Sequence, residues 1–187
     1  MIKKLFSWAL NAIPRQSLIR LSYKVRPFLA RFYRGDRFED PIDGRRYRKL
    51  LPYGYAGRQR PNALAPGSLS LERHRLLWLF LERETDFFTA PQKMLHVAPE
   101  QCFLDRFRRQ HNLDYITADL DSPIADVTMD IHAIPYPEAH FDVIFCNHVL
   151  EHVQDDRQCM RELCRILKPG GLAIMQVPLE PGREVTD

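Results

Sequence analysis

The first 34 residues of this chain contain no aspartate or glutamate, against eight lysines and arginines. That one-sided charge marks the front either as a solvated basic face or as a surface for an anionic partner such as a membrane. Nothing in it resembles a groove-reading helix or a base-stacking sheet, which speaks against nucleic acid. No apolar run approaches the ~20 residues of a membrane span, and no small-residue cleavage site follows the short apolar run near the start, so neither a spanning helix nor a signal peptide is expected. Cysteine is limited to Cys102, Cys146, Cys159 and Cys164, with no C-x-x-C pair. Buried free thiols in a reducing compartment fit that pattern, so a cytoplasmic protein is expected, peripheral at the inner membrane surface if the front docks there. A G-x-G-x-x-G run is also missing. That disfavours an NAD-dependent enzyme, because nothing glycine-rich serves a pyrophosphate.

The charged and apolar content is ordinary for a globular chain, and 187 residues suffice for one domain with a small appendage. The net charge of +3 conceals an asymmetry: residues 1–75 carry 17 Lys and Arg against 5 acids, and the remainder carries 10 against 19. Three parts follow from this. Residues 1–34 read as basic amphipathic helices, one through Leu5, Phe6, Ala9, Leu10 and Ile13 and a second running towards Pro27. Residues 35–69 read as loops with one short hairpin. Residues 70–187 read as an α/β domain.

That domain is organised around Phe141 to Pro178. Phe141 to Phe145 is a short apolar run with β-branched residues, as in a strand covered on both faces. From Asp155 the period becomes helical, with Met160, Leu163, Cys164 and Leu167 on the apolar face, and Pro169-Gly170-Gly171 reads as a stop before a strand over Leu172 to Val177. Strand, helix and strand make a βαβ unit whose ligand crevice lies beyond the carboxyl ends of its strands. Upstream, a helix over Leu71 to Glu84 would be capped by Ser68 or Ser70 and bury Leu71, Leu76, Leu79 and Phe80, with His74 near its start. Lys93 to Val97 reads as the first strand, followed by Ala98-Pro99-Glu100 and a helix over Phe103 to Gln110. A second strand, Asp114 to Ala118, ends in Asp119. The 21 residues from Ala98 to Asp119 match the ~20 between a nucleotide-binding turn and the acid that accepts ribose hydroxyls, although an aspartate after a strand also forms turns. A third strand, Val127 to Met129, leads into Asp130 and Ile131, where Asp130 on spacing alone serves equally as a cap.

FDVIFCNHVLEHV, followed by a helix and LKPGG, resembles the fourth-to-fifth-strand segment of class I S-adenosylmethionine-dependent methyltransferases. The resemblance implies a three-layer Rossmann-like fold with a mostly parallel sheet, S-adenosylmethionine as cofactor, and methyl transfer to a small molecule, a sugar or a lipid-linked glycan. It places Ala98, Pro99 and Glu100 at the cofactor turn where glycines usually stand, and Asp119 with Leu120 at the ribose. Asp130 would accept the adenine amino group and Ile131 would touch the ring. Asn147 would line the site, with His148 as candidate base and His152 as packing. A metal reading of His148 and His152 is weak, because the glutamate that follows the first histidine in zinc proteases is missing. Members of the superfamily continue past the fifth strand with a helix and an antiparallel hairpin; here Asp187 follows soon after, which implies a C-terminally incomplete domain or a homodimer through an exposed edge. DPIDGRRYRKLLPYG and RPNALAPGSLSLERHRLLWLFL resemble the front of bacterial methyltransferases that carry two C-P-x-C knuckles. Asp40, Asp43, Ala65 and Ser68 stand at the matching places, so no zinc is expected, and a hard cation on Asp40 and Asp43 is the weaker alternative to two solvated carboxylates. The rival to catalysis is an adapter that keeps the fold and docks on a membrane or assembly through its basic front.

Overall fold

The computed structural model describes residues 15–54, 57 and 59–179, and the chain divides into two compact units, Met1–Thr85 and Asp86–Asp187. The helix expected around Leu5 to Ile13 lies outside the described residues.

In the first unit, helix α1 (Arg15–Phe32) runs through Pro27. Strands β1 (Arg34–Asp40) and β2 (Arg45–Tyr47) pair antiparallel, as do β3 (Leu51–Tyr53) and β4 (Arg60–Leu64). Two strand pairs therefore stand where one short hairpin was expected. What organises them is a small core of Ala30, Tyr47, Leu50 and Ala65 and a buried carboxylate. Asp40 is fully buried; its Oδ2 accepts from the Ser68 hydroxyl at 2.5 Å, and its Oδ1 accepts from the Ser70 hydroxyl at 3.3 Å and the Ile42 N–H at 3.1 Å. Asp43 is engaged too, accepting from the Tyr47 hydroxyl at 2.5 Å and the Arg45 N–H at 2.9 Å. Burial raises the Asp40 carboxyl above its ordinary range, a shift that the Ser68 bond partly offsets.

This network corrects the expected helix cap. Ser68 and Ser70 spend their hydroxyls on Asp40, so α2 (Glu72–Glu84) starts instead from Leu71, whose N–H donates to His74 Nδ1 at 3.1 Å. The buried face of α2 is also not the expected one. His74, Leu77, Trp78 and Leu81 are buried, while Leu76 and Phe80 are exposed. Apolar residues occur on both sides of this helix, so periodicity leaves its rotation open; the inward His74 fixes it.

The second unit holds a five-stranded, wholly parallel sheet. Its strands are β5 (Gln92–Val97), β6 (Leu113–Asp119), β7 (Val127–Thr128), β8 (Phe141–Cys146) and β9 (Leu167–Ile174), in the order β7-β6-β5-β8-β9. Side chains alternate between the faces as the pleat requires. Leu95, Val97, Ala118, Ile144 and Cys146 pack with Cys159, Leu163 and Ile166 of α4 (Asp156–Ile166). On the other face His96 and Phe145 meet Phe103 and Phe107 of α3 (Gln101–Phe107). This is the expected three-layer α/β fold, with two local corrections. Met160 and Cys164 are exposed and Cys159 is buried, so α4 is rotated from the expected face. Strand β9 begins at Leu167, because the Pro-Gly-Gly segment stays in the strand: register slips between the Phe141–Leu167 and Val143–Leu172 pairs, and Gly170 takes φ of 79°. Such a bulge with a left-handed glycine kinks a strand without ending it.

Candidate active site

The order of the sheet reverses between β5 and β8, and the carboxyl ends of the strands on the β5 side open into a cleft of about 600 Å³. Ligands of open α/β sheets bind beyond such strand ends. Five of the residues expected at the cofactor site line this cleft: Ala98, Asp119, Leu120, Asp130 and Ile131. Sequence reasoning missed Met129, His132, Val149, Val153 and Asp155, which line it as well, and His152, read as packing, is exposed and on its wall. These belong to short connecting segments with no period of their own.

Local hydrogen bonds position the two acids. Asp119 closes β6, and its Oδ1 accepts from the N–H groups of Asp121 and Ser122, each at 2.9 Å. It is therefore both a turn former and a cleft residue. Asp130 Oδ1 accepts from the His132 N–H at 2.9 Å and pairs with His132 Nδ1 at 2.7 Å, and these bonds hold the Asp130 carboxyl below its usual range. With Nδ1–H donating to Asp130, the other ring nitrogen of His132 accepts from the Asp155 N–H at 3.4 Å. His132 thus ties the acid after β7 to the start of α4, where Asp155 caps the helix by accepting from the Gln158 N–H.

Ala98 stands at the first position of the turn and adopts φ of 50°. The backbone there keeps the left-handed form that glycine takes freely, at a cost on the order of 1 kcal/mol for a residue with a Cβ. Pro99 is buried, and Pro99 and Glu100 are outside the cleft lining. Glu100 turns inward. Its Oε2 lies 2.5 Å from His96 Nε2, and its Oε1 accepts from the Asn147 side-chain amide at 3.2 Å. On its far side the His96 ring meets the Tyr115 hydroxyl at 2.7 Å. A polar line, Tyr115–His96–Glu100–Asn147, therefore runs from β6 through β5 and the turn to the residue after β8. With the phenol donating to Nδ1 and Nε2–H donating to Glu100, every member has a role, and burial pushes the Tyr115 phenol well above its ordinary pKa. His96 was missed, yet the signal was there: a histidine inside a strand buried on both faces must be paired.

Asn147 and His148 sit just beyond β8 and are not among the residues that line the cleft, although the next residue, Val149, is. Asn147 Oδ1 and His148 Nε2 are buried without a hydrogen-bond partner. His148 takes φ of 55°, its N–H donates to the Gln176 carbonyl at 2.7 Å, and its Nδ1 faces Glu151 Oε1 at 3.4 Å. Cys146, next to them, is inert, because burial pushes its thiol up to about 12. Among the described residues no group of three or more His, Cys, Asp or Glu is arranged to hold a metal ion.

Residues 89–175 match the family described as "Methyltransferase domain". Over 54 residues the chain is 37% identical to the 27-O-demethylrifamycin SV methyltransferase of Amycolatopsis mediterranei, covering 29% of this chain and 20% of that protein. Over 90 residues it is 32% identical to a probable S-adenosylmethionine-dependent methyltransferase of Mycolicibacterium smegmatis, covering 43% and 35%. The chain thus spans about a third or less of these relatives' length. Among solved structures, the [4+2]-cyclase SpnF superposes with a TM-score of 0.51 at 20% identity over 78% of this chain and 58% of that one, a likeness of fold. With the parallel sheet and its acid-lined edge, these matches identify the α/β unit as a class I S-adenosylmethionine-dependent methyltransferase domain.

Proposed function

We propose that this chain transfers a methyl group from S-adenosylmethionine to an oxygen acceptor, a sugar or a lipid-linked glycan. The observation that carries the reading is the convergence of Asp119, Leu120, Asp130, Ile131 and Ala98 on one cleft at the strand ends. Their chemistry fits the cofactor. Asp119 offers a carboxylate to a ribose diol, the exposed Asp130 offers one to an adenine amino group, and Leu120, Met129 and Ile131 supply apolar contact for the ring. Bound there, the cofactor supplies a methyl group already activated on a positively charged sulfur. What remains for the protein is alignment, exclusion of water and removal of the acceptor's proton. His148 is the candidate base: with Nδ1 turned to Glu151 its Nε2 has no hydrogen-bond partner, and it stands one residue before Val149 of the cleft wall. The strained backbone at His148 is of the kind that collects at functional sites. An oxygen acceptor is favoured by the relative whose name specifies a 27-O-demethyl compound; the fold alone fixes no substrate, since a protein named a cyclase shares it.

The test is calorimetric titration of S-adenosylhomocysteine into the wild-type chain and Asp119→Ala, with circular dichroism as the folding control. Losing a charged hydrogen-bonding partner costs about 1.5–3 kcal/mol, so affinity should fall roughly 10- to 150-fold. Equal binding by Asp119→Ala would displace the cofactor from this cleft. If the wild type fails to bind, the chain is an adapter.

A further inference from the structure

Helix α1 carries an apolar stripe that the described residues of the first unit leave exposed: Leu21, Val25, Phe28 and Phe32 are 50%, 39%, 75% and 66% exposed. Their spacing of four, three and four residues puts them on one side of a helix turning 100° per residue. Ala30, on another side, is the buried residue that joins the core. Arg20, Lys24 and Arg31, spaced by four and seven, form a basic row directly beside the stripe.

That row leads into a cavity of about 510 Å³ between the end of α1 and the β1–β2 pair, where Arg31, Arg34, Arg45 and Arg46 outnumber a single acid, Asp36, on the lining. Its charge is only partly met within the unit: Arg46 donates to the Asp36 carbonyl at 3.0 Å. Arg45 and Arg46 meet Asp43 and Glu39 only at 4.0 Å, and among the described residues Arg31 and Arg34 have no carboxylate partner. An aqueous site for a neutral ligand has no use for four guanidinium groups, whereas a phosphate accepts their paired donors.

We propose that this side of the first unit docks on an anionic phospholipid bilayer, with the α1 stripe in the headgroup boundary and a lipid phosphate in the arginine-lined cavity. Two observations converge on that occupant. An exposed apolar stripe flanked by cations suits an interface that is apolar below and negative above, and the cavity alongside brings four arginines together against one acid. No helix among the described residues is long and apolar enough to cross a membrane. The proposal stands apart from the methyl-transfer reading, since no cleft residue takes part in it.

The experiment is co-sedimentation of the full chain with vesicles of phosphatidylcholine, with and without phosphatidylglycerol, at low and high salt. The chain should bind the anionic vesicles and release them as salt rises. Arg31→Gln and Arg34→Gln should each weaken that binding roughly fivefold, the worth of one basic residue at such a surface, and Phe28→Ser should weaken it roughly tenfold. All three side chains are exposed, so melting followed by circular dichroism should not change. Control substitutions at Arg83 and Arg106 should leave binding intact; equal losses there would reduce the effect to net charge and overturn the site. Equal binding to neutral vesicles, or none to either, overturns it as well. So does tight binding of pyrophosphate or a single-stranded oligonucleotide by a chain that ignores vesicles.

Discussion

In the first unit a fully buried carboxylate, Asp40, is surrounded by two serine hydroxyls and a backbone N–H. In the second unit Glu162 stays partly open and meets Arg165, whose guanidinium also reaches the Ile134 and Tyr136 carbonyls. The first arrangement is an internal knot. It ties residues 28 and 30 positions apart in a unit whose strands pair only two by two and whose apolar core is small. The second is a clamp on a unit already held by a five-stranded sheet with apolar layers on both faces. A charge buried as the centre of a lobe must have its donors supplied, while a charge at the rim of a large core supplements what hydrophobic burial provides.

The sharpest way to break this contrast is Asp40→Ala, which leaves two hydroxyls and an N–H without their acceptor. We expect a loss of about 3 kcal/mol, confined to the first unit, read by hydrogen exchange as lost protection in residues 34–85 with the sheet of the second unit unaffected. Glu162→Gln should cost less, about 1 kcal/mol given its partial exposure, and should appear only in the second unit.

Acid sharpens the comparison further, because the two sites respond with opposite sign. Arg165 and the Ile134 N–H hold the Glu162 carboxyl at about 2, below the ordinary 4.5, so its contribution is present above 4.5 and is lost as pH falls towards 2. Asp40 is raised by burial, so its contribution is complete below the ordinary 3.8 and declines as pH rises through its folded value. Stability profiles of Asp40→Asn and Glu162→Gln should therefore flatten in different directions relative to wild type; parallel changes would refute the assignment. The smallest effect should come from Ala98→Gly, which relieves the left-handed φ at some cost in chain entropy. A gain of about 0.5 kcal/mol is expected, measured by urea unfolding.

The second unit was largely legible in the sequence. Short runs at Lys93–Val97 and Phe141–Phe145 read as strands and are strands, and Ala98 and Asp119, matched by their spacing, line one cleft. Helix rotation was not legible. In α2 the pairs Leu76–Leu77 and Leu79–Phe80 offer two faces, and a buried His74 decides between them. In α4, Cys159 rather than Met160 turns inward. The second strand pair of the first unit escaped notice because the contacts that organise the unit, Asp40 with Ser68 and Ser70, are remote in sequence and polar, and so leave no periodic trace. His132 was invisible for a related reason: its importance lies in joining Asp130 to Asp155, two acids on separate segments.

The line from Tyr115 through His96 and Glu100 to Asn147 makes four positions, two on strands, one in the turn and one just past β8, inherit one another's fate. Changing any one leaves a neighbour with a donor or acceptor facing nothing, so the harm done by a second change depends on the first. Tyr115→Phe should be tolerated far better in a chain that already carries His96→Phe than in the wild type. In an evolving lineage such positions would be replaced as a block or kept as a block, and a glycine-rich turn could enter at residues 98–102 only together with a new partner for His96.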